Sequence, residues 1–100
     1  MADFKTVQIS GRYGNPAYTH VSGAATTVCK TGAGCLHGIV VGTPGGTCTV
    51  YDNAAGSGTV MAVIDLSTVT VPTSLPFNCD FSVGLTLVTT STSDITAVYE

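Results

Sequence analysis

The chain has 100 residues, enough for one small domain, with three Lys and Arg residues against six Asp and Glu residues and a net charge of −3. Binding to nucleic acid requires clustered positive charge, which this balance excludes. No segment approaches the roughly 18–20 apolar residues that span a membrane, so we expect neither nucleic acid nor a membrane as a partner.

The composition favours β-structure throughout the chain. Charged residues make up only 9% of the chain, whereas threonine occurs 17 times and valine is also abundant. These β-branched side chains fit a pleated sheet better than a helix, and no segment shows a clear 3.6-residue apolar period. We therefore predict an all-β fold. A surface with so few charges also favours association with copies of the chain or with a partner.

Residues 1–33 differ from the rest of the chain. They contain all three basic residues, and glycine and proline interrupt their short polar and apolar pieces. We interpret them as an extended, loop-rich N-terminal arm with one or two short strands near Tyr18–Ser22 and Thr26–Lys30. Terminal segments that keep aromatic and apolar side chains usually dock on a partner. We therefore expect that deleting residues 1–25 abolishes docking and leaves the remaining domain folded.

From Gly34 onward, short strand-like segments recur about every ten residues and are separated by glycine, proline and Asp-Asn turns. This spacing is typical of a β-sandwich or a β-barrel. We predict one sandwich domain over residues 34–100, with about seven to eight antiparallel strands in all. Its predicted strands are Leu36–Val41, Thr47–Tyr51, Val60–Asp65, Ser67–Val71, Phe77–Phe81, Leu85–Thr89 and Ile95–Tyr99.

Catalytic chemistry has little support in the sequence. The two histidines, His20 and His37, do not lie in a recognised nucleophile motif, and the six acidic residues are scattered singly at predicted turns and strand ends. We predict that the protein is not an enzyme and that it uses no cofactor.

The four cysteines allow more than one interpretation. Cys29, Cys35 and His37 could supply three zinc ligands, but their spacing does not match that of structural zinc sites. Cys48 and Cys79 lie on predicted inward faces, where a reduced thiol packs as a small apolar group. We predict packing and no metal site, with a disulfide formed after release from the cell as the alternative.

The segments Gly34–Val41 and Thr47–Asn53, with Gly56–Gly58, resemble a block found in small virion proteins of tailed bacteriophages. The C-terminal third of the chain is similar to the same group in four segments: Pro76–Asn78, Phe81–Leu85, Val88–Thr90 and Asp94–Tyr99. The resemblance covers about residues 34–100. The four cysteines depart from the family pattern.

This resemblance implies a head decoration (cement) protein with a β-sandwich, jelly-roll-like fold. Such proteins assemble as homotrimers on the outer surface of the phage head, where they bind the major capsid protein and stabilise the capsid. The family has no catalytic residues to carry over. We accordingly expect the protein in the virion, after synthesis in the host cytoplasm.

Two sets of residues are the candidates for these contacts. The candidates for capsid contact belong to the arm and are Lys5, Arg12, Tyr13, Tyr18 and Lys30. The candidates for the trimer seam or the core are His37, Tyr51, Val98 and Tyr99. One alternative is a tail- or fibre-associated adhesion module that binds host surface glycans through tyrosines and nearby Asp or Asn residues. Another is a small enzyme or inhibitor domain in which His20 or His37 joins a carboxylate in a deep pocket.

Overall fold

The computed structural model describes residues 16–100, and within that range the chain forms eight β-strands. None of these residues belongs to a helix long and apolar enough to cross a membrane. The strands are β1 (Ala17–Ser22), β2 (Ala25–Thr31), β3 (Gly34–Thr43), β4 (Thr47–Asp52), β5 (Thr59–Asp65), β6 (Thr73–Phe81), β7 (Gly84–Thr89) and β8 (Asp94–Tyr99).

The strands form two antiparallel four-stranded sheets that pack face to face. Sheet A has the order β1-β8-β3-β6, and sheet B has the order β2-β7-β4-β5. The first strand therefore pairs with the last, β2 with β7, β3 with β6 and β4 with β5. The sheets also contact each other where β1 lies beside β2, which places β5 and β6 at the opposite side of the molecule. The predicted all-β sandwich is confirmed.

The core lies between the two sheets and follows from the alternation of apolar residues along each strand. In β8, for example, Ile95, Ala97 and Tyr99 point inward, whereas Val98 points outward. Sheet A contributes about twice as many buried apolar residues as sheet B, and most of these residues are Leu, Ile and Val. The fully buried members are Leu36, Ile39, Val41, Cys48, Val50, Leu66, Phe81, Leu85, Leu87, Ile95 and Ala97.

The sandwich begins earlier than predicted. Residues 17–31, assigned to the arm, form β1 and β2, and Val21 of β1 is buried in the core. The one or two short strands expected near Tyr18–Ser22 and Thr26–Lys30 are present as β1 and β2, but their alternation is weak because each is an edge strand with few inward apolar residues. The domain therefore starts at β1 and not at Gly34, while residues 1–15 of the predicted arm lie outside the described residues.

Two further predictions about strands are wrong. Ser67–Val71 is a loop, because the carboxylate of Asp65 accepts hydrogen bonds from the amide and the hydroxyl of Ser67 and turns the chain out of β5. Strict alternation along the predicted strand Val60–Asp65 puts Val60 on the same face as Ala62 and Ile64, and this prediction is also wrong. The register of β5 against β4 shifts at Met61, so that Val60 faces outward while Ile64 packs against the core.

Candidate interaction surfaces

The outer face of sheet A brings together two candidates from different predicted sets. Tyr18 of β1 lies directly opposite Val98 of β8, and the same row continues across β3 and β6 to Gly38 and Pro76. The Tyr18 side chain is 74% exposed, which leaves its ring free on the surface. The predicted capsid contact and the predicted seam residue Val98 thus belong to one surface.

Two histidine–carboxylate pairs also lie on sheet A. The Nε2 atom of His20 lies 2.7 Å from a carboxylate oxygen of Asp94, at the end of the sheet where β8 begins. The Nε2 atom of His37 lies 3.1 Å from a carboxylate oxygen of Glu100 at the other end. The side chains of His20 and Asp94 are 54% and 40% exposed, whereas those of His37 and Glu100 are only 27% and 30% exposed, so solvent screening weakens the first pair more than the second.

An open cleft of about 780 Å³ lies at the end of the sandwich where the β2–β3 and β6–β7 turns meet. Its lining includes Lys30, Cys35, Asp80, Phe81 and Glu100. Lys30, a predicted capsid contact, therefore lies in this cleft and not beside Tyr18. The remaining capsid candidates, Lys5, Arg12 and Tyr13, lie outside the described residues.

Tyr99 belongs to the core and connects the two sheets. Its hydroxyl donates a hydrogen bond to the backbone carbonyl of Cys29 in sheet B, at 3.0 Å. The oxygen of Tyr99 also lies 2.8 Å from the hydroxyl of Thr19 in sheet A. Because the hydroxyl hydrogen of Tyr99 points to Cys29, Thr19 donates this second hydrogen bond. A buried tyrosine with both hydrogen bonds made fixes the spacing of the sheets locally. Tyr99 is therefore a core residue and not a seam residue.

A loop that the sequence analysis treated as a plain turn covers part of sheet B. After Tyr51, which lies on the outer face of this sheet, residues 53–58 fold across β7 toward β2. The hydroxyl of Thr86 donates to the carbonyl of Asn53 at 2.7 Å, and Gly56 lies against Val88. The side-chain amide of Asn53 donates to the carbonyl of Ser57 at 2.7 Å and holds the loop closed. Within residues 16–100, the loop leaves the β4–β5 side of this face uncovered.

The four cysteines are free thiols, and Cys29, Cys35 and Cys79 are only partly buried. Cys48 is fully buried, and the loss of solvation raises the pKa of its thiol to about 12. Burial likewise raises the pKa of Cys29, and for Cys35 desolvation and the nearby Asp80 carboxylate raise the thiol pKa. Within residues 16–100, no three Cys, His, Asp or Glu side chains come close enough to hold a metal ion.

Asp52 holds the β6–β7 turn through its carboxylate. The backbone amides of Ser82, Val83 and Gly84 donate to it at 3.0, 2.8 and 3.4 Å. These amides stabilise the charged form, so the pKa of Asp52 lies below its ordinary value of 3.8. Sequence analysis assigned this acid to a local turn, but its partners lie about 30 residues away in the chain.

The Asp52→Asn variant should have a lower melting temperature than the wild type at pH 7, because the ionised carboxylate stabilises the folded state above its unfolded pKa. Because the folded pKa lies below the unfolded value of about 3.8, the unfolded chain takes up the proton first as the pH falls through 3.8, and the difference between the two proteins should narrow until the folded carboxylate is also protonated. Thermal unfolding followed by circular dichroism from pH 7 to pH 2 measures this. A difference that stays constant over the whole range contradicts the role of the charge.

The described residues thus present three surfaces: the outer face of sheet A with the exposed Tyr18, the uncovered part of sheet B beside Tyr51, and the mixed-charge cleft at Lys30. Comparison with known proteins adds no relative from which a role could be transferred. No family model, no curated protein and no solved structure matches this chain.

Proposed function

We propose that this protein is a bacteriophage head decoration protein, which binds the outer surface of the capsid as a homotrimer and stabilises it. The proposal starts from the resemblance of residues 34–100 to small virion proteins, and the sandwich fold is consistent with it. Its partner is the major capsid protein, its location is the virion surface, and its role is mechanical and not catalytic.

The strand pairing supports the finer part of the fold proposal, a jelly roll. Pairing of the first strand with the last, and so on inward to β4 with β5, results when one long antiparallel ribbon is rolled into two sheets. Jelly rolls are eight-stranded double sheets of this kind and are frequent among capsid proteins. A fold of this type exposes two broad sheet faces, which suits a protein that covers the capsid surface and joins neighbouring capsid subunits.

The exposed ring of Tyr18 is the observation that supports the proposed capsid contact. It lies on the first described strand, so the outer face of sheet A directly follows the segment that contains Lys5, Arg12 and Tyr13. Tyrosine is enriched in protein interfaces because its ring covers a large area at a low entropic cost. We assign capsid contact to this face together with the N-terminal segment.

A trimer on a capsid threefold position gains more than the sum of its contacts. Once one protomer has bound, the other two face their sites at a high effective concentration, so three weak contacts act as one strong attachment. Because the protein binds the assembled shell and not its separate subunits, its binding energy adds to the stability of the shell by mass action. Each chain has three basic residues. They suffice for binding to the capsid because the affinity of the trimer comes from three simultaneous contacts.

The proposal is tested by adding purified protein to undecorated phage heads and imaging the particles by electron cryomicroscopy. We expect density at the threefold positions, and we expect the Tyr18→Ser variant to bind heads at least about tenfold more weakly, as for an interface residue whose loss costs about 1.4 kcal/mol. The matched control is Val83→Ser, which changes an exposed residue of the β6–β7 turn. Density at the tail tip, or no density on any particle, overturns the proposal.

The second candidate function is adhesion to host glycans. Its favourable observation is the position of Tyr18, which shares the outer face of sheet A with the His20–Asp94 pair. The expected cluster of tyrosines does not form among residues 16–100, because Tyr51 lies on sheet B and Tyr99 in the core. Binding to a glycan array that Tyr18→Ser abolishes, without binding to heads, would favour this candidate.

A further inference from the structure

We draw no further inference here: the strongest candidate, the open cleft where the β2–β3 and β6–β7 turns meet, combines the carboxylates of Asp80 and Glu100 with Lys30 and the Cys35 thiol, but nothing among residues 16–100 shows which ligand would occupy it.

Discussion

Alanine at position 46 should destabilise the protein by about 2–5 kcal/mol, from backbone strain together with overpacking. Gly46 adopts a left-handed conformation, with φ of 63°, in the turn between β3 and β4. A Cβ atom there would collide with the backbone carbonyl of Thr90 in the β7–β8 turn and would lie 2.5 Å from its hydroxyl. The carbonyl of Gly46 also accepts a hydrogen bond from the amide of Leu66, so the turn cannot move away without further loss.

Gly23→Ala is the matched control for this experiment. Gly23 is also left-handed, with φ of 81°, but a Cβ atom there meets nothing within 4 Å. Its replacement should therefore cost only the strain of the conformation, about 1–2 kcal/mol. Chemical denaturation of the three proteins gives both differences. Equal destabilisation by the two substitutions would contradict the steric role of Thr90.

The structure reverses the expectation that the domain stays folded without residues 1–25: this deletion should abolish cooperative folding, whereas deletion of residues 1–15 should leave the sandwich intact. The longer deletion removes β1, which pairs with β8 from Ala17 to Ser22 and buries Val21. It also removes Gly23, whose carbonyl accepts a hydrogen bond from the buried hydroxyl of Thr89 at 2.7 Å. Small domains have only about 5–15 kcal/mol of net stability, so the loss of a whole strand and its core contacts should leave too little for cooperative folding.

Thermal unfolding by circular dichroism distinguishes the two deletions. The chain without residues 1–15 should show a cooperative transition close to that of the wild type. The chain without residues 1–25 should show no cooperative transition. The same pair also separates folding from docking, because the proposed function requires that the chain without residues 1–15 stays trimeric and loses binding to heads. If it coats heads normally, the N-terminal segment takes no part in capsid contact.

Sequence analysis identified the buried face most clearly in the strands whose apolar residues alternate strongly. In β4 and β8, inward positions such as Val50 and Ile95 are apolar and their neighbours are not, so the pattern reveals both the strand and its buried face. The edge strands β1 and β2 bury few apolar residues, and their pattern was correspondingly weak. Ser67–Val71 alternates equally well but has no partner strand, and a local hydrogen bond of Asp65 decides its conformation.

The candidate surfaces could be predicted only in part, because they depend on pairings between distant segments. The exposure of Tyr18 is consistent with its weakly apolar strand, but its position beside Val98 follows from the register of β1 on β8, which lies 80 residues away in the chain. The placement of Tyr99 in the core and of Tyr51 on the outer face follows from burial and sheet order, which composition does not specify.

The pairing of the first described strand with the last also determines the order in which the two sheets can be completed. Among the eight described strands, only β4 and β5 are both neighbours in sequence and partners in a sheet, so local contacts complete a single hairpin. Sheet A stays incomplete until β1 has paired with β8, and this closure joins segments that lie far apart in the chain. Folds dominated by such remote pairings form slowly, on the order of milliseconds to seconds, and expose apolar residues meanwhile. Folding of this chain therefore competes with aggregation until both sheets have closed.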